Sequence, residues 1–208
     1  MPRSSREKSI ETRTRILEAA YRLFIENGYN ATAMRAISKE AGVTVGAIYN
    51  HFHTKEDIWR EVLQKKHPYH EIIPLFLAAG GETNAEVVQS VAHGMVNELR
   101  KRPDLLNLMF IEIVEFQARH IPELFRMILP EFGKLQGYFT NKRDKLRNIP
   151  VETLVRSFVG LFFSFYVTEI FMKTSGYFMP DNDSLDQYID LFLYGILEDK
   201  GQTVGEGI

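Results

Sequence analysis

The stretch AGVTVGAIYNHFHTKEDI, residues 41–58, decides how the chain is read. Gly42 can take the left-handed turn that ends a helix, because it lacks a Cβ. Thr44 can accept from the free N–H groups of a new helix and so opens one. Val43 before that cap and Ile48 at the fourth helical position match a hydrophobic staple. Ile48 and Phe52, one turn apart, point inward and leave Val45, Gly46, Ala47, Tyr49 and Asn50 outside. Thr54 caps the next helix, with Asp57 closing a capping box and Ile58, Val62 and Leu63 as the apolar face.

Upstream, Ile16, Leu17, Ala20, Leu23 and Phe24 fall on one face of a helix that Gly28 terminates. Thr32 is expected to cap a second helix carrying Ala36, Ile37 and Ala41. The AGVT connection has the length of a helix-turn-helix, whose second helix enters the major groove of DNA with its first residues toward the bases. A helix running only from Thr44 to about Asn50 buries little, so its outer side is expected to serve something other than packing. The Tyr49 hydroxyl and a His51 ring nitrogen can bond phosphate oxygens. Lys55 stands in the first turn of a helix, where the dipole attracts anions. Arg35 is placed to reach phosphate or guanine, Asn50 to pair with adenine, and Val45 and Ala47 to touch a thymine methyl. Gly46 permits close backbone approach. Arg3, Arg6 and Lys8 form a basic arm that could enter a minor groove.

Residues 12–59 resemble the DNA-binding domain of the tetracycline-repressor (TetR-like) family. The resemblance rests on Gly42, then Tyr49-Asn50-His51-Phe52, then Lys55-Glu56. It covers the first third of the chain closely and the rest by length, helical pattern and a final helix, DQYIDLFLYGIL. Met34 departs from the family, many members of which carry a phosphate-touching hydroxyl residue there. The resemblance implies a homodimeric repressor, a palindromic double-stranded DNA operator, and a second domain that binds a small effector.

The expected fold class is all-α: an N-terminal helix-turn-helix domain over residues 1–66, then a larger helical effector-binding and dimerisation domain over 67–208. Pro68 and Pro74 break the pattern near that boundary. Helices are expected at about 85–101, 104–119, 121–145, 151–174 and 184–199. The resemblance implies that the last two pair with their symmetry mates in a four-helix bundle, and the residues suit a dimer interface through Phe158, Phe162, Phe165, Tyr188, Phe192 and Ile196, with Gly160 and Ser164 allowing close approach; the alternative is an intrachain core. Phe, Met and Leu in the body suggest an apolar or amphipathic effector. Glu112 and Glu115 with Phe110, Phe116 and Tyr166 could hold a cationic lipophile. The alternative pairs Glu115 with Arg119 on a solvated face. His93, Asn97, Arg156 and Glu169 are further polar candidates in apolar surroundings.

Composition excludes much else. The chain has 208 residues, 45% of them hydrophobic, and no cysteine, so disulfides and thiol chemistry are out. Residues 1–66 carry 12 basic and 8 acidic groups, against 13 and 19 in the remainder, which sets a basic front on an acidic body. The amino terminus has no apolar run of the signal-peptide kind. The apolar stretch at 158–172 contains Glu169 and reads as a buried helix rather than a membrane span. A cytoplasmic protein with no membrane role is expected. No metal-binding spacing, nucleophile elbow or phosphate loop appears, so neither cofactor nor enzyme activity is expected. The competing reading is a helical protein-interaction module with no DNA role.

Overall fold

A computed structural model describes residues 5–127, 130, 149–176 and 184–194. Every regular element among them is an α-helix: α1 (Ser5–Asn27), α2 (Met34–Ala41), α3 (Val45–Tyr49), α4 (Lys55–Lys66), α5 (Tyr69–Ala78), α6 (Asn84–Arg100), α7 (Leu105–Phe116), α8 over 121–127, α9 (Val151–Ser175) and α10 (Ser184–Tyr194). The all-α expectation stands. Pro74 does not break the chain but lies inside α5, which Pro68 opens by accepting from Glu71 and Ile72. A ring that lacks an N–H forfeits only one bond there.

By packing the chain forms two compact units. The first comprises 1–77 together with 98–135, the second 78–97 together with 136–208. The expected domain boundary near 66 falls inside the first unit, because α7 packs with the helices ahead of it.

In the first unit α1 is the spine. Its buried residues Ile16, Leu17, Ala19, Ala20 and Phe24 pack on α2 and α4, which bury Ile37 and Ile58, Trp59, Val62 and Leu63, while α3 packs on α2 and buries Ile48. Gly28 closes α1 at φ 82°. Thr32 does not cap α2, whose N-cap is Ala33. Its buried hydroxyl instead bonds the carbonyls of Leu23 and Gly28, at 3.1 and 2.7 Å, satisfying the end of α1. Ala36, expected on the apolar face of α2, is exposed.

In the second unit α9 packs on α10 through aromatic rings. Phe158 and Phe162 lie 5.7 and 5.9 Å from Phe192, and Phe165 lies 4.9 Å from Tyr188. This corrects the expected dimer surface. Phe158, Phe162 and Phe165 are buried within a single chain, since rings on one face of α9 find their partners on α10. Ile196 lies outside the described residues. The opposite face of α9 is open at Val159, Gly160, Ser164 and Phe171, and α10 exposes Leu191 and Tyr194. By length and composition α9 could cross a membrane, but Glu169 within it is buried and paired with Lys173 at 2.8 Å.

Candidate nucleic-acid interface

The α2–α3 turn is built from backbone caps. Gly42 sits at φ 64° and ψ 40°, its N–H bonds the Lys39 carbonyl, and Val43 N–H bonds Ser38. This double closure is a Schellman motif. Arg15 of α1 locks it from outside, donating from Nη2 to the carbonyls of Ala41 and Gly42 at 2.5 and 3.1 Å. A Cβ at Gly42 would stand 2.8 Å from that nitrogen, which a flexible arginine tip can yield, so it is the positive φ that calls for glycine. The Thr44 hydroxyl accepts from Ala47 N–H at 3.1 Å and caps α3, as expected. Ile48 and Phe52 are buried, also as expected.

That leaves the outer face of α3 free. Tyr49 is 49% exposed although aromatic. Gly46 and Asn50 are exposed, and Val45, Ala47 and His51 are half-buried. Arg35 on α2 is exposed as well. These residues and Thr44 all lie on the α2–α3 turn and the elements that flank it. Arg3 lies outside the described residues. Arg6 and Lys8 lie on the exposed first turns of α1, so in this structure they belong to a helix rather than a loose arm.

The structure gives Lys55 a use that differs from the expected phosphate contact. Its Nζ donates to the carbonyls of Tyr29 and Thr32 at 2.7 and 2.8 Å and lies 4.1 Å from the centre of the Tyr29 ring. Burial holds this ammonium below the usual lysine range, against the opposing pull of Glu115. Thus Lys55 braces the α1–α2 turn on α4. The Thr54–Asp57 capping box is present, with Asp57 N–H on the Thr54 hydroxyl at 3.0 Å and Thr54 N–H on the Asp57 carboxylate at 2.9 Å. Those bonds hold the Asp57 carboxyl below its ordinary value.

Sequence reasoning missed Arg13 and Arg15. Arg13 bonds the His51 carbonyl at 2.8 Å, pairs with Glu61 on α4, and lies over the Phe52 ring at 4.2 Å. Burial alone would raise the Glu61 carboxyl, but hydrogen bonds from Arg13 and Lys65 outweigh it and hold it low. In sequence, TRTRI resembles any solvated helix edge, so neither arginine announces itself.

The nine expected effector residues are split. Phe110, Glu112, Glu115 and Phe116 belong to the first unit, and His93, Asn97, Arg156, Tyr166 and Glu169 to the second. Three of the first four are used internally, which corrects their assignment. Glu112 is wholly buried and accepts from Trp59 and His120. Glu115 accepts from the backbone N–H groups of Tyr29 and Asn30 at 2.9 and 2.7 Å, not from Arg119. Phe116 stacks on Trp59 at 5.3 Å. Phe110 is exposed. In the second unit His93 meets Asp186 at 2.8 Å, Tyr166 is buried, and Asn97 and Arg156 are exposed.

Residues 16–62 match the family model for bacterial regulatory proteins of the tetR family. Over 62 residues the chain is 45% identical to the HTH-type transcriptional regulator AcrR of Shigella flexneri, covering 30% of this chain and 29% of that protein. Over 87 residues it is 39% identical to the regulator TtgR of Pseudomonas putida, covering 42% and 40%. The match therefore spans well under half the length of either relative. The solved structure of the Bacillus subtilis regulator FadR in complex with stearoyl-CoA superposes with a TM-score of 0.65, at 19% identity, over 88% of this chain and 99% of that one. The relatives are named as regulators, not enzymes. The matched residues are those that build the α2–α3 turn and its α1 and α4 supports, and over that segment the chain carries the DNA-binding region of the tetR family of bacterial regulatory proteins.

Proposed function

We propose that the protein is a ligand-responsive transcriptional repressor. It binds a palindromic operator as a homodimer and is released by a small apolar or amphipathic effector, working in the cytoplasm where the DNA lies. The observation that carries the reading is the outer face of α3. A five-residue helix, capped at Thr44 and locked by Arg15, presents Tyr49, Asn50 and Gly46 to solvent. Such a helix fits the major groove, with Asn50 suited to adenine and Val45 and Ala47 to a thymine methyl. Tyr49, His51 and Arg35 would contact phosphates and set register. Lys55 supports this surface from beneath.

A dimer places two recognition helices about 34 Å apart, one turn of DNA. The open faces of α9 and α10, with Gly160, Ser164, Phe171, Leu191 and Tyr194, supply an apolar surface for a second copy. The effector would bind in the second unit, where Tyr166 and Glu169 are buried polar groups. A tenfold loss of DNA affinity needs about 1.4 kcal/mol of differential binding between two states of the dimer, well within reach of a modest apolar ligand.

The test is a selection of duplexes from a randomised pool by the full chain, followed by fluorescence anisotropy of the winner. A palindromic winner is expected, with affinity falling steeply as salt rises. Tyr49→Ala and Asn50→Ala should each weaken binding at least tenfold, and Asn50→Ala should also relax the preference at one base pair. Enrichment of no sequence, or full affinity in both variants, would sink the DNA reading. Stearoyl-CoA is the first effector probe, since the superposing FadR is solved with it.

A further inference from the structure

The recognition helix is too short to hold itself in place, so its position depends on α4. Arg13, bonded to both the His51 carbonyl and Glu61, ties the exit of α3 to α4. The other side of α4 is fastened to α7. The carboxylate of Glu112, 0% exposed, accepts the Trp59 indole N–H at 2.8 Å and the His120 backbone N–H at 2.8 Å. The same carboxylate faces His120 Nδ1 at 3.0 Å. His120 Nε2 in turn faces Glu56 of α4 at 3.1 Å.

Nothing in helix packing requires this arrangement. An apolar side chain at position 112 would satisfy a core, whereas a buried carboxylate is costly unless it is paired. The chain also reverses at Gln117 and Ala118 with φ of 54° and 59°, a region non-glycine residues avoid, and this turn brings His120 back over Glu112. Ionised carboxylates only accept hydrogen bonds. Both nitrogens of His120 face carboxylates, so the imidazolium is the form that satisfies every contact. The other charged groups along this seam are Arg119, 3.4 Å from Glu56, and Arg60 of α4, held by Glu123 of α8.

We infer that Glu112 and His120 are positioning residues for DNA binding. With Glu56 they form a charge-paired clasp that holds α4, and through it the recognition helix, in place. Loss of the His120 imidazole, or of either carboxylate, frees α4 to shift and weakens binding. The inference rests on the DNA-binding reading above.

Trp59 is the only tryptophan, so the full chain has one indole N–H resonance by which to watch the clasp. In the wild type that resonance should sit at low field, as a hydrogen bond to a carboxylate requires. Glu112→Gln and His120→Gln should each shift that resonance and cost about tenfold in affinity while circular dichroism shows folded protein. The double variant should lose no more than the weaker single, because the clasp acts as a unit. Glu56→Gln lies outside the core and keeps the assay open should the buried variants unfold. It should cost about threefold in affinity. Tyr49→Ala should keep the wild-type indole resonance while losing DNA. Folded Glu112→Gln, His120→Gln or Glu56→Gln with wild-type affinity would overturn the clasp and leave DNA binding standing. A wild type that selects no duplex overturns both.

Discussion

Among the described residues, the helices of the two compact units are joined differently. In the first, polar side chains supplement a core of aliphatic and aromatic residues. Arg15 locks the α2–α3 turn, Lys55 and Glu115 clamp the α1–α2 turn, and Glu112 grips Trp59. In the second, α9 meets α10 through Phe158, Phe162, Phe165, Tyr188 and Phe192. Directional bonds fix a geometry to tenths of an ångström, as the proposed DNA contact would need. Ring packing fixes volume and tolerates small shifts, which would suit the proposed response to a ligand.

The sharpest way to break that comparison is at Trp59. Trp59→Ala removes a wholly buried ring packed on Phe24, Tyr29 and Phe116 and takes a donor from Glu112, and should cost about 4 kcal/mol. Phe162→Ala, also fully buried, should cost about 3 kcal/mol, from the cavity alone. Trp59→Phe separates ring from donor and should still cost about 2 kcal/mol, because Glu112 loses a bond. Urea unfolding measures all three. A harmless Trp59→Phe would mean that packing, not polar fastening, holds the first unit.

The same contrast explains what could be read from the sequence. Caps act over three or four residues, so Thr44, Thr54, Gly28 and Gly42 were legible as local grammar, and with them the turn and its exposed Tyr49 and Asn50. Arg13, Arg15 and Glu115 act over 26 to 86 residues of sequence and leave no periodic mark. Glu112 and Glu115 were visible as polar residues on an apolar helix, but a ligand and a distant backbone N–H ask for the same carboxylate. Lys55 misled for a related reason. A lysine at a helix start suits an anion, and only the fold shows two carbonyls already beneath it. The aromatic rings of α9 were seen, yet rings at helical spacing do not say whether their partner is α10 or a second copy.

His67 offers a smaller test of the first unit. Burial, then the charges of Arg102 and His70, push its imidazole down to about 4, with Glu71 opposing, and its Nδ1 has no hydrogen-bond partner. The folded state therefore favours neutral His67, while the unfolded chain binds a proton near the ordinary value of 6.5. Between those values the unfolded state holds more protons, so stability rises with pH there. Stability from this group should be complete above about pH 6.5 and fall by about 3 kcal/mol as pH drops toward 4. Urea midpoints for wild type and His67→Gln should converge in acid. Parallel curves would show that another group governs the acid limb.

The smallest expected effect bears on the open face of the second unit. Gly160 is exposed on α9, and a Cβ there would meet nothing within 4 Å in one chain. In a solitary helix Gly160→Ala should stabilise by up to about 1 kcal/mol, since alanine is the better helix former. If instead Gly160 and Ser164 let a second α9 approach closely, the added methyl meets that copy, and a leucine meets it harder. Sedimentation of wild type, Gly160→Ala and Gly160→Leu separates the cases. The proposed dimer predicts that Gly160→Leu raises the dissociation constant at least tenfold while far-ultraviolet dichroism stays unchanged, and that Gly160→Ala gains less than its helix propensity. A dimer indifferent to leucine would place the interface elsewhere and leave this face of α9 to the effector.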